Sequence, residues 1–130
     1  MQFAERINAK LFIAPSSSKL AGGVAKLLVG TLSRDALEYV GDYRIKVFPY
    51  FFKNESGRLF IKVSEPALRR MVGGHVTSFS GHAKTNGTGL TRKIIAQARP
   101  SADGIGALTF TVFTENGPLV FNTSYRIDQP

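Results

Sequence analysis

Two Asn-Gly pairs, Asn86-Gly87 and Asn116-Gly117, constrain this chain more than anything else in it. A type I′ turn needs positive φ at both central residues, so Asn-Gly between alternating runs is the strongest short-range hairpin signal. The first hairpin is predicted to run His75–Thr85 and return as Thr88–Arg99. The second runs Gly106–Glu115 and returns as Pro118–Asp128. A two-residue turn also sets register, and register decides which side chains share a face. In the second hairpin Thr114 then pairs with Leu119, Val112 with Phe121, Phe110 with Thr123 and Leu108 with Tyr125. That face is apolar and belongs to the core, while Thr109, Thr111, Asn122, Ser124 and Arg126 face solvent. In the first hairpin the apolar face pairs Ala83 with Leu90, Phe79 with Ile94, Thr77 with Ala96 and His75 with Ala98. The same face sets Arg92 opposite Gly81.

Upstream, residues 7–13 alternate as a strand that Pro15 stops. Ser16-Ser17-Ser18 offers N-caps for a helix carrying Leu20, Val24, Leu27, Leu28 and Leu32 on one face. Gly22, Gly23 and Gly30 each cost such a helix roughly 1 kcal/mol, so it needs tertiary packing. Ser33–Val40 reads either as a short capped helix or turn, the preferred reading, or as a strand Ala36–Val40 turning at Gly41-Asp42. Tyr43–Phe52 and Arg58–Ser64 form a third hairpin around Lys53–Gly57. Glu65–Met71 is one helical turn with an early proline, closed by Gly73-Gly74. Pro100–Gly104 has the composition of a loop. The predicted fold is mainly β with one N-terminal helix. It is an antiparallel meander of about seven strands, forming a strongly curved sheet or a small, calycin-like barrel with the helix over one opening. All 130 residues form a single β-barrel-like domain.

Composition narrows the function classes. There is no cysteine, which excludes disulfides and thiolate metal sites, and no stretch nears the ~18 apolar residues of a membrane span. Met1–Arg6 carries acid and polar residues before any apolar run and does not fit a secretory leader. The expected compartment is the cytoplasm, or the periplasm or exterior if a signal preceded this sequence. The net charge is +8, and Pro66–Ala102 contains no acid but holds Arg69, Arg70, Lys84, Arg92, Lys93 and Arg99. Such a balance favours anionic partners, and it also serves solubility.

The inward arginine is the most informative position. A guanidinium stays charged and cannot be buried without a partner. The functional reading makes Arg92 the anchor for a carboxylate or phosphate inside a β-cup. His75, Thr77 and Tyr125 add polar contacts, and Phe79, Phe110 and Phe121 form the apolar wall. The structural alternatives are an ion pair with Asp35, Glu38 or Asp42, or a bulge at Gly81 that turns Arg92 outward.

A second feature is the other face of the third hairpin, where Arg44, Lys46, Arg58 and Lys62 interleave with Phe48, Tyr50, Phe52 and Phe60. Aromatic platforms with a cationic rim hold single-stranded nucleic acid. The bland alternatives are cover by the Leu20–Leu32 helix or a homo-oligomer contact.

For catalysis the chain offers little. His75 and His82 lie seven apart on one strand, hence on opposite faces, and no two acids share an inner face. Ser78 and Ser80 near His82 lack an orienting acid, and the Gly104–Gly106 stretch precedes no helix. The expected function is therefore a non-catalytic binding protein, without cofactor or metal, for a small hydrophobic or amphipathic anionic molecule. The alternatives are single-stranded nucleic-acid or polyanion binding, or a purely structural, oligomerising module.

Overall fold

Alternation with a period of two extends well beyond the carboxy-terminal hairpins in the computed structural model, which describes residues 10–35, 38–102 and 104–128. Ten strands are described: β1 Lys10–Ile13, β2 Ser16–Leu20, β3 Gly23–Val29, β4 Ser33–Asp35, β5 Glu38–Phe48, β6 Glu55–Lys62, β7 Thr77–Thr85, β8 Thr91–Ala102, β9 Ile105–Thr114 and β10 Gly117–Asp128. All pair antiparallel in one sheet of order β1-β10-β9-β8-β7-β6-β5-β3-β2, with β4 also on β5. The sheet curls strongly into a half-barrel. Its two edges approach along residues 10–20. There β1 pairs with β10, the chain bends at Ala14-Pro15, and β2 pairs with β3. Leu11 and Leu32 exchange backbone hydrogen bonds of 2.9 Å each, which ties β1 to the far side.

The inner face is the core. Ala25 and Leu27 of β3, Ile45 and Val47 of β5, Leu59 and Ile61 of β6, and Ile94 and Ala96 of β8 are all buried there. So are Phe110 of β9 and Phe121 of β10, which face each other across the ladder. Each large side chain removed from water contributes about 1.5–3 kcal/mol, and the outward residues between them are mostly polar. Among the described residues the α-helix is α1 Glu65–Val72, which links β6 to β7. Ser64, expected at the end of a strand, caps it instead, its Oγ accepting from Ala67 N. Pro66 lies in the first turn and Gly73 follows the last, as the sequence implies, but the helix runs about two turns rather than one. Its buried Leu68 and Met71 pack toward β7 and β8 and cover the end of the half-barrel that we term closed. The opposite end carries the β2–β3, β5–β6, β7–β8 and β9–β10 turns and forms a mouth.

Several expectations are corrected. There are ten described strands rather than about seven, because residues predicted as helix are strands. The Leu20–Leu32 helix is instead the hairpin β2–β3, turning at Ala21-Gly22 with φ +72° at Gly22. The leucine spacing fits a helix, but Ala25 and Leu27 against Val24 and Lys26 fit a strand equally well, and ladder pairing to β5 decides between them. Gly23 also lets the Phe48 carbonyl approach where a Cβ would stand.

Ser33–Val40 is neither helix nor turn at Gly41. It holds the β4–β5 hairpin, and β5 runs straight through Gly41, whose missing Cβ makes room for Leu32. Ala36 and Leu37 of the alternative strand, and residues 7–9 of the first, lie outside the described residues. The third hairpin is shorter on one side and longer on the other: β5 ends at Phe48, a 3-10 turn spans Phe51–Lys53, and β6 already begins at Glu55. Pro100–Gly104 is only partly loop, since β8 continues to Ala102 with a bulge between Pro100 and Ala102.

Both Asn-Gly hairpins keep their predicted faces but shift register by two. In the first, Ala83 pairs with Arg92 and Gly81 with Ile94. Thr85 Oγ1 bonds Thr88 Oγ1 and accepts from Leu90 N, so the loop is four residues, 86–89, not two. In the second, Leu119 pairs with Val112 and Phe121 with Phe110. The turn residues are Glu115-Asn116, because Thr114 Oγ1 donates to the Gly117 carbonyl and accepts from Asn116 N.

Candidate functional site

Four turns converge on the mouth and leave a cavity of about 1050 Å³. Leu20 from β2, Leu119 from β10, and Leu90 from the β7–β8 loop supply apolar wall. Ile45 and Val47 form the side nearest the core, and Lys19, Lys46 and Lys53 stand on the rim.

Arg92 enters this cavity because it continues the inward row of Ile94, Ala96 and Ala98 toward the mouth. Small Ala83 lies opposite it. Its Nε donates to Glu55 Oε1 at 2.9 Å and Oε2 at 3.0 Å, and Nη2 stands 2.8 Å from Oε1. Nη1 donates to Glu115 Oε2 at 2.8 Å. Tyr43 Oη donates to Glu55 Oε2 at 2.8 Å. The side chains of Arg92 and Glu55 are 12% and 16% exposed, whereas that of Glu115 is 68% exposed. The Nε–Nη2 edge of the guanidinium is thus held by a mostly buried carboxylate that a phenol braces, and Nη1 by a carboxylate in water.

The protonation states follow. The hydrogen bond to Glu55 raises Arg92 further above its ordinary value, against the effect of burial. Burial, then the bond and charge of Glu55, push Tyr43 up, so it remains a neutral donor. The hydrogen bond from Arg92 holds the Glu115 carboxyl below its usual range.

Among the seven residues expected in the cup, Arg92 alone lines this cavity. Phe110 and Phe121 are fully buried in the packed centre, Phe79 is half-buried, and Tyr125 is buried beside Gly106. Thr77 is buried near the closed end with its Oγ1 donating to the His75 carbonyl, and His75 is exposed just before β7. The acids on Arg92 are Glu55 and Glu115 rather than Asp35, Glu38 or Asp42, and Asp42 pairs with Arg58 at 3.0 Å. Gly81 does not turn Arg92 outward; it admits the Phe60 carbonyl instead. The missed signal was available: both glutamates lie in or beside hairpin turns, at the end where Arg92 lies.

The basic and aromatic residues divide into two groups. Arg44, Lys46, Phe48, Arg58, Phe60 and Lys62 lie on the outer face of β5 and β6, and Phe60 stacks on His82 with centroids 4.8 Å apart. Tyr50 and Phe52 belong to the β5–β6 loop. No helix among the described residues covers this face: α1 lies at the closed end. Lys26 and Lys46 stand directly opposite each other across β3 and β5, a like-charge pair that disfavours the ladder.

At the closed end the Arg34 guanidinium lies 5.0 Å from the Tyr39 ring centroid. Its nitrogens and Tyr39 Oη are buried without a hydrogen-bond partner among the described residues. The ring face answers part of that charge. Among the described residues no cluster of three or more His, Cys, Asp or Glu could hold a metal, and no helix is long and apolar enough to cross a membrane. No known protein-family model, curated protein or solved structure matches this chain.

Proposed function

We propose that the chain is a non-catalytic binding protein that takes a small amphipathic anion into the mouth cavity. The apolar part of the ligand lies against Leu20, Leu90 and Leu119. The head exchanges for Glu115 on Arg92 Nη1. The observation that carries this reading is the unequal pair of carboxylates on one guanidinium. Glu55 already neutralises Arg92, so Glu115 is a surplus anion, and water screens its attraction. A ligand carboxylate or phosphate can replace it without stranding a buried charge, since Glu115 returns to solvent. The volume, about 1050 Å³, is at the upper end of small-molecule sites.

Native mass spectrometry of freshly purified protein against its denatured mass tests the reading. The expected result is an extra non-covalent mass of a few hundred daltons per chain, on the order of what such a cavity admits. That mass should be lost in the double variant Arg92→Leu/Glu55→Leu, which removes the anchor and its buried partner together. A bare chain at dimer mass points instead to an oligomerising module.

A further inference from the structure

We propose that the β5–β6 loop docks the mouth of the half-barrel onto an anionic lipid surface. Phe48, Phe51 and Phe52 are 66%, 66% and 82% exposed, and Val24, paired with Phe48 on the neighbouring strand, is 41% exposed. Phe48 and Phe51 meet edge to face at 6.0 Å and, with Val24 beside Phe48 on β3, form an apolar knob next to Phe52 at the rim of the mouth. Lys53 N donates to the Tyr50 carbonyl, Asn54 N to the Phe51 carbonyl, and Val47 N to Asn54 Oδ1. Tyr50 packs against Gly22, where a Cβ would collide with its hydroxyl. The loop is thus built to present its phenylalanines to the outside, and an apolar cluster so presented calls for a cover.

The surrounding charge names the cover. Lys19 pairs with Val24 and Lys26 with Lys46, and Lys53 follows Phe52 directly. The acids nearest in sequence are committed elsewhere, Glu55 to Arg92 and Asp42 to Arg58. An apolar tip inside a ring of lysines complements a bilayer surface of anionic headgroups, where the rings enter the acyl boundary and the ammonium groups meet phosphate. The opposed pair Lys26 and Lys46, unfavourable in water, is relieved there.

Two other occupants fit less well. Nucleic-acid stacking needs free ring faces in a row. Here Phe48 meets Phe51 at 81° and Tyr50 meets Phe52 at 70°, edge to face, each pair 6.0 Å apart. A second copy in a two-fold contact would set these lysines against the same lysines. Phe48, Phe51 and Val24 lie outside the cavity while Phe52 and Lys53 line its rim, so a ligand in the cavity leaves most of the apolar surface free to dock.

The test is co-sedimentation of the full chain with vesicles of phosphatidylcholine, alone or with about a third phosphatidylglycerol. The chain has no tryptophan, so Phe52→Trp provides a single reporter. The expected results are binding at least about tenfold tighter to the anionic vesicles and a blue shift of the introduced indole's emission on binding. Phe51→Ser with Phe48→Ser loses that binding while the thermal midpoint holds, and Lys46→Gln with Lys53→Gln weakens it. Three results overturn the proposal: no preference for anionic vesicles, binding that ignores the phenylalanine changes, or a dimer that disappears with them. Tighter binding of a single-stranded oligonucleotide, competing with vesicles, makes the surface a nucleic-acid one instead.

Discussion

Glu55 and Glu115 grip one guanidinium under different solvation, and this difference sets what each substitution does. Glu55→Gln removes the charge that answers Arg92 in a mostly buried position and leaves one acceptor oxygen where Arg92 and Tyr43 now use two. The expected loss is about 2 kcal/mol in urea unfolding, below the figure for a fully buried pair because both side chains keep some solvent contact. Glu115→Gln costs less than Glu55→Gln in the same experiment. The pH dependence has a definite sign. Because Glu115 is depressed in the folded protein, its contribution is present above the ordinary carboxylate value and disappears as pH falls through the folded one. The difference in unfolding midpoint between wild type and Glu115→Gln is therefore present at neutral pH and closes in acid. A gap that widens in acid contradicts the assignment of the ion pair.

In the carboxy-terminal strands the faces were legible in the sequence, and the registers were not. Alternation placed Ile94, Phe110, Val112 and Phe121 correctly inside, since burying that face outweighs any detail of the turn. The Asn-Gly rule then missed by two, because Thr85 and Thr114 hydroxyls bond loop backbone and move each turn. The β2–β3 hairpin was hidden for another reason: Leu20, Val24, Leu27 and Leu28 satisfy a helical period, and only pairing with β5 overrides it. Glycines show how closely these ladders are built. A Cβ at Gly57 would overlap the Lys84 carbonyl of β7. Gly57→Ala is expected to cost about 2–3 kcal/mol by forcing β6 and β7 apart, measured by chemical denaturation. Unchanged stability would show that the two strands separate there without cost.

Curling one sheet until residues 10–20 bridge its edges buries tyrosines from distant parts of the chain. Burial raises Tyr39, Tyr43 and Tyr125, three of the four in the sequence. Their neutral forms are favoured in the folded state, so stability is complete below the ordinary tyrosine value, near ~10, and is lost as pH rises beyond it. In an alkaline titration followed by tyrosinate absorbance, these three should ionise with unfolding. Ionisation at ordinary pH with the fold intact would place them in water. The same curling explains why the sequence led to Arg92 but not to its companions. Phe110, Phe121 and Tyr125 share its inner face, yet lie deeper in a centre packed by strands from both halves of the chain. Which part of an inner face stays open depends on how four turns meet at the mouth, and no periodicity records that.

The most direct measurement is a calorimetric titration of decanoate into wild type, Glu115→Gln, and Arg92→Leu/Glu55→Leu. The expected result is about one decanoate per chain, bound several-fold more tightly once the competing Glu115 carboxylate is gone and not at all when the anchor is removed from a protein that still folds. Equal affinity in all three proteins, or no binding by folded wild type, would contradict it.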